Sequence, residues 1–221
     1  MTILGFDTST AASSAAVLLD DGRVVESTPP AERLAERPAH ASELLPAVHD
    51  VMGRVEVAFR DLDAIAVGLG PGTFTGLRIG IATARGLAKA NGLPLRGVSS
   101  LAALAAGMPV GERLPLIDAK RGEVYGALFG EDGQRWPAFA LGIDAVLARL
   151  ADASVTPLAA GDGSLRFCDE LEAAGVRVAP REAPVHVVSA AHLCRLARGV
   201  PDATPEKVLP DYLRAPDAVP R

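Results

Sequence analysis

The stretch Gly70-Pro71-Gly72-Thr73-Phe74-Thr75-Gly76, entered from Ala64-Ile65-Ala66-Val67-Gly68-Leu69 and left through Leu77-Arg78-Ile79-Gly80, decides the fold. The entering residues are apolar on both pleats, as a strand buried in a parallel sheet is. The helical period then holds over 77–90 and stops at Asn91-Gly92, a C-cap pair. A strand, a glycine-rich loop and a helix N-terminus together favour an anion, because free N–H groups and the helix dipole point into the loop. No Lys lies between Asp7 and Lys89, so this is not a Walker loop. The next strand, 95–98, ends in Ser99-Ser100 with no acid for a ribose. Two readings of Gly70, Gly72, Thr73 and Gly76 stay open: a phosphate cradle, or a tight turn whose glycines allow close packing.

Upstream, Ile3-Leu4-Gly5-Phe6-Asp7 reads as a buried strand followed by Thr8-Ser9-Thr10. Asp7, Thr8 and Ser9 are candidates for holding phosphate or Mg²⁺, and equally an ordinary turn. Residues 14–19 and 23–27 flank Asp20-Asp21-Gly22 and form a hairpin. A helix is predicted from near Ala39, with Leu44, Leu45, Val48, Val51 and Met52 on its apolar stripe. Ser99 or Ser100 caps a short helix to 106.

Downstream the order repeats. Strand 114–119 carries Asp118 where the first carries Asp7, which makes Asp118 the eighth candidate for the nucleotide or phosphate loops, and 123–129 runs into the turn Glu131-Asp132-Gly133. Helix 143–150, strand 156–160, helix 165–174 and strand 176–178 follow. Each half reads βββαβαβ, an α/β chain of two related units, 1–100 and 101–200. Helix 189–198 closes the second unit, and 201–221 is expected to be an irregular tail packed back.

Of 221 residues, 49% are hydrophobic and 22% charged, which excludes a disordered chain. Lys and Arg total 22 against 27 acids, net −5, without the basic surplus of a protein that grips nucleic acid unaided. No apolar run reaches the roughly 20 residues of a membrane helix, and the N-terminus lacks a basic leader, so a cytoplasmic protein is expected. His40 and His49, and His186 and His192, miss the spacing of metal pairs, so no metal is expected. Cys168 and Cys194 read as buried inert thiols. No catalytic constellation is visible.

The helix over 77–90 is apolar or small almost all round, so it must be covered on more than one side. Leu77, Gly80, Ile81, Ala84 and Ala88, with Leu44, Leu45 and Val48 from the preceding helix, are the candidate partner surface. Part of this set must face the chain's own sheet.

These pieces together resemble a known family. Residues 70–80 are similar to the signature G-P-G-S/T-F-T-G-L/V-R-I-G of the TsaB (YeaZ) proteins. Ile3-Leu4-Gly5-Phe6-Asp7-Thr8-Ser9 resembles the family's opening strand. Residues 37–46 resemble R-x-H-x-x-x-L-L-P with one extra residue before His40, residues 118–125 resemble D-A-R-R-G-E-V-Y, and 210–214 resemble P-x-Y-L-R. The resemblance implies an actin-like/ASKHA (RNase H-like) fold of two βββαβα subdomains. It implies a non-catalytic partner of TsaD and of the ATPase TsaE in forming N6-threonylcarbamoyladenosine beside the anticodon of tRNA. The partner contact would be a bundle of the first two helices, with a homodimer through the same patch when isolated. Ser100 and Leu104 align with the metal-binding His-x-x-x-His of TsaD, so no metal and no required cofactor are implied, and weak ATP or ADP binding is left open. An active ASKHA kinase and a glycoprotease-like peptidase are the alternatives.

Overall fold

The computed structural model describes residues 1–214. Two five-stranded mixed sheets carry the fold. The first has the order β3-β2-β1-β4-β5 and the second β10-β9-β6-β7-β8. β1 (Ile3–Asp7), β2 (Ser14–Leu18) and β3 (Val24–Ser27) form an antiparallel meander, and β4 (Ala64–Gly68) and β5 (Leu95–Val98) add in parallel to β1. The second sheet repeats the plan with β6 (Arg113–Lys120), β7 (Glu123–Gly130), β8 (Gly133–Gly142), β9 (Leu158–Ala160) and β10 (Arg177–Val178). The duplicated arrangement agrees with the two-unit plan that the resemblance implies.

Helices fill three layers. α1 (His40–Arg54) and α2 (Phe74–Asn91) cover the outer face of the first sheet, burying Leu4, Phe6, Val17, Ile65 and Val67 against Leu44, Val48, Ile81 and Ala84. α4 (Ile143–Asp152), α5 (Asp162–Arg166) and α6 (Cys168–Ala173) belong to the second unit, where Val146, Leu150 and Leu171 share a core with Leu114, Leu116 and Leu128. Between the sheets lie α3 (Ser100–Ala106) and α7 (Ala190–Ala197), packed on each other. Their connections cross. α3 leaves β5 yet lies on β6 and β7, while α7 follows the second sheet yet lies on β1 and β2. One apolar cluster therefore joins Ile3, Leu18 and Ala66 to Ile117 and Ala127 through Leu101, Leu104, Leu193 and Cys194.

The strand period of two sorts β1: Leu4 and Phe6 face α1 and α2, while Ile3 faces α7. Gly5 lies under α7, where any Cβ would overlap the Cys194 sulfur. Glu26 on β3 reaches the start of α7, its Oε1 accepting from Ser189 Oγ at 2.8 Å and Ala191 N at 3.0 Å. Gly92 ends α2 in the left-handed region at φ 66°, as expected for a C-cap glycine.

The residues after α7 run back along the first unit. Ala203 forms an antiparallel bridge with Leu95, Arg85 donates to the Val208 carbonyl, and Asp211 N donates to Leu69 O at 2.8 Å. Residues 215–221 of the expected tail lie outside the described residues.

Three expectations change. β8, following the 131–133 turn, is a ten-residue strand with mostly exposed or half-exposed side chains. The single helix expected over 165–174 is two short ones that meet at Phe167. Cys168 is partly exposed; Cys194 is buried as expected, its thiol pushed far up by burial.

The partner set is also corrected. Leu44, Val48, Leu77, Gly80, Ile81, Ala84 and Ala88 are all buried within the chain, and only Leu45, 52% exposed, faces out. The reason is geometric: the bulkier apolar side chains of α1 and α2 are needed to cover β1 and β4. Ala84→Arg should therefore act on folding itself. It forces a charge into the core, at a cost of about 3 kcal/mol or more. A thermal melt should show a loss of roughly 6–12 °C or no cooperative transition. An unchanged melting temperature would contradict the inward placement.

Candidate functional site

The motif residues converge where β1, β4, α1, α2 and α3 meet. Asp7 ends β1, and its Oδ1 accepts from Ser9 N at 2.7 Å and Ser9 Oγ at 2.5 Å. Its Oδ2 accepts from Ser100 Oγ at 2.6 Å, and that hydroxyl in turn accepts from Gly70 N at 3.1 Å. Thr8 Oγ1 donates to Gly76 O at 2.8 Å, and Thr73 N donates to Ser9 O at 2.7 Å. Ser13 Oγ pairs with His40 Nδ1 at 2.8 Å. Asp7, Thr8, Ser9, Ser13, His40 and Ser100 are all buried.

This closure explains the glycines. A Cβ on Gly72 would overlap Ser9, one on Gly76 would overlap the Thr8 carbonyl, and one on Gly80 would overlap the Thr8 hydroxyl. One on Gly68 would overlap the Asp7 carboxylate. Gly70 sits at φ 97°, a conformation side chains resist. The phosphate-cradle reading of Asp7, Thr8, Ser9, Gly70, Gly72, Thr73 and Gly76 is thus replaced by the packing one. The two loops rest on each other backbone to backbone, and the carboxylate is spent on Ser9 and Ser100. Burial raises the Asp7 carboxyl, and the bonds from Ser100 and Ser9 offset this only in part. Burial lowers His40, against the pull of Asp7 and Glu43. Neither His40 Nε2 nor Thr73 Oγ1 has a hydrogen-bond partner.

Asp118, the eighth residue of that set, lies elsewhere. It ends β6 beside a cavity of about 450 Å³ bordered by Leu34, Lys120, Asp162, Arg166 and Arg181. Lys120 Nζ donates to Asp118 Oδ2 at 2.7 Å, and Arg166 Nη1 donates to Oδ1 at 2.8 Å. The turn is tight: Lys120 and Arg121 both have positive φ, at 64° and 55°. Asp162 Oδ1 accepts from Asp118 N at 3.0 Å. Burial alone would raise Asp118, but the bonds from Lys120 and Arg166 hold it below the usual carboxylate range. Burial, aided by the Asp118 charge, pushes Asp162 up to about 6. Nothing in composition or spacing singled out Asp162. Its signal was the Gly161-Asp162-Gly163 turn at a strand end, which Asp7 and Asp118 also occupy.

The outer surface of α1 and α2 is the third feature. Leu45, Pro46, His49 and Ala41 face outward on α1. On α2 the i, i+4 ridge Phe74, Arg78, Ala82, Gly86 and Ala90 is exposed throughout. Around Gly86 an added Cβ would meet nothing within 4 Å. A glycine inside a helix costs about 0.5–1 kcal/mol relative to alanine, and here the chain's own packing gives no return for it.

Ser100 and Leu104 are taken up by the interior, Ser100 on Asp7 and Leu104 in the central apolar cluster. Among the described residues no group of three or more His, Cys, Asp or Glu is arranged to hold a metal, and no helix is long and apolar enough to cross a membrane.

Comparison with known proteins shows what the chain as a whole is similar to. Residues 33–155 match the family described as TsaD, tRNA N6-adenosine threonylcarbamoyltransferase. An uncharacterised protein of Mycobacterium leprae is 36% identical over 221 residues, 99% of this chain and 56% of its own length. The tRNA threonylcarbamoyladenosine biosynthesis protein TsaB of Escherichia coli K12 is 41% identical over 136 residues, 60% of this chain and 56% of that protein. The chain thus spans little more than half the length of these curated relatives. Among solved structures, YeaZ from Pseudomonas aeruginosa superposes with a TM-score of 0.75 at 32% identity, over 96% of this chain and 99% of that one.

The raised Asp162 makes a pH prediction. Its folded value near 6 lies above its unfolded value near 3.8, so the folded state holds the extra proton between them. Its contribution to stability is fully present below about pH 4 and is lost as pH rises through 6. Asp162→Asn keeps an oxygen to accept from Asp118 N and removes the charge. It should be more stable than wild type at pH 7, by at most about 3 kcal/mol, and equal to it near pH 4. Urea melts across pH 4–8 give the difference, and parallel curves would contradict the assignment.

Proposed function

The chain belongs to the TsaB (YeaZ) family, and from that premise we propose that it serves tRNA threonylcarbamoyladenosine formation as a non-catalytic subunit. Its work is to bind a TsaD-type transferase, the enzyme of the complex, with TsaE as a third component and tRNA reached through the assembly. No cofactor of its own is required, and its place is the cytoplasm.

The observation that carries this reading is the outer face of α1 and α2, above all Gly86. Small side chains at Gly86 and Ala90 let another helix approach closely, and Leu45 on α1 supplies exposed apolar area. The free chain bears the cost of the open glycine, and a helix seated over it would recover that cost as contact.

The absence of a catalytic role is supported by what the buried groups already do. Asp7 is sealed by Ser9 and Ser100, which speaks against the kinase reading. Ser100 and Leu104 offer no imidazole for a metal. The Ser13–His40 pair is buried without an opening to substrate, which speaks against the peptidase reading.

Gly86→Trp tests the surface. It should leave the melting temperature within about 2 °C, since the position is exposed and an added Cβ there meets nothing within 4 Å. It should weaken binding to a TsaD homologue roughly 10–100-fold, the effect of about 1–3 kcal/mol of overpacking. Gly86→Ala should stabilise the free chain by about 0.5–1 kcal/mol. Reconstitution with TsaD, TsaE, threonylcarbamoyl-adenylate and tRNA should need the chain. Full modification without it, or normal affinity in a folded Gly86→Trp protein, would overturn the proposal.

A further inference from the structure

Phe74 and Tyr212 are exposed by 41% and 40%, in a chain whose aromatics make up only 4% of its residues. Among the described residues they are the only two aromatic side chains so open, and they lie together, ring centroids 5.5 Å apart with a tilt of 30°. The Arg78 guanidinium lies 3.7 Å from the Phe74 ring centroid, and its Nε donates to the Tyr212 hydroxyl at 3.3 Å. Asp211 N, bonded to Leu69 O, fixes the backbone beside Tyr212. Next to the cluster is a cavity of about 300 Å³ bordered by Arg78, Ile81, Ala82, Arg85, Pro210 and Tyr212. Its lining combines apolar side chains, one aromatic residue and two arginines, with no acidic residue; the Arg85 guanidinium donates to the Val208 and Glu206 carbonyls, which hold it in place.

We propose that this cavity binds one unpaired nucleotide of an RNA strand, the base stacked on Tyr212 and the phosphate held by Arg78, with the fixed positive charge of Arg85 beside it. Each part of the site matches a part of that ligand. A base has a flat apolar face, which aromatic rings and arginine planes stack irrespective of sequence. The adjoining phosphate is an anion suited to a guanidinium fork. The cavity's size admits one such unit. Arg78 is already held flat against Phe74 and tied to Tyr212, so it is ordered before a ligand arrives and less entropy is lost on binding. The local cation pair also stands out against the net charge of −5, which disfavours RNA over most of the surface. The choice of an RNA strand as the source rests on the tRNA reading above.

The test is fluorescence anisotropy with a labelled hairpin RNA carrying a single-stranded loop, titrated with the full chain in 50 mM salt. Tyr212→Ala should weaken binding about tenfold or more, the effect of losing one stacked base. Tyr212→Trp should restore it. Arg78→Gln should weaken it and lower the salt slope by about 0.7, one phosphate contact on a single strand. Thermal melts should stay unchanged, because both side chains are on the surface. AMP should compete far less well than the RNA. Equal binding by wild type and Tyr212→Ala, or no binding by wild type, would overturn the proposal. So would AMP competing as well as the strand, or a Tyr212→Ala chain that binds RNA normally and loses only its protein partner. These outcomes are separate from the reconstitution above: loss of the stacking site leaves the scaffold reading intact, and RNA binding could persist if that reading failed.

Discussion

The hydrogen bond from Ser100 Oγ to the buried carboxylate of Asp7 is the contact on which the rest of the molecule turns. Asp7 closes β1, Ser100 opens α3, and Gly70 of the long loop donates to the same hydroxyl. Three stretches of chain far apart in sequence thus meet on one carboxylate. Leaving that carboxylate unpaired would be costly, because the site is closed to water. The position of α3 follows from it, and α3 is the helix that crosses to the second sheet.

That crossing makes the two halves one folding problem. The first sheet takes its inner helix α7 from beyond the second sheet, and α3, which follows β5, packs on β6 and β7, so the central apolar cluster draws on residues from 3 to 197. Neither half could bury its inner sheet face alone. Glu26 accepting at the start of α7, and Gly5 admitting the Cys194 sulfur, are local devices that hold this exchange in register. A chain division at residue 100 describes the repeat of strands but not the packing of the helices.

Strand order and helix ends were legible because the signals are local. Both-face apolar runs mark β1 and β4, Asp-Gly marks the hairpin turn, and Asn91-Gly92 marks the end of α2. The orientation of α2 was not legible. Its residues are apolar or small all round, so the stripe through Leu77, Ile81, Ala84 and Ala88 and the ridge through Ala82, Gly86 and Ala90 look alike until the sheet beneath is in place. β8 was obscured because its first residues, Gly133, Gln134 and Arg135, are all exposed and give no buried–exposed alternation. The glycines of the 70–76 loop could not be assigned either. Close backbone approach and phosphate binding demand the same residue, and only the position of Ser9 separates them.

The closure of that loop carries a consequence for function. Here Asp7 faces Ser9 and Ser100, and Asp118 faces Lys120 and Arg166. Each carboxylate is satisfied from within the chain, so the strand ends contribute to the fold. The features the fold leaves unexplained lie on the outside: an open glycine in the middle of α2, an exposed Leu45, and two bare aromatic rings held by an arginine. Each disfavours the isolated chain, through helix entropy or exposed apolar area, and each would be compensated by contact with another molecule. The physical imbalance of the free surface therefore lies on the outer faces of its helices, where the proposed partner and strand would seat.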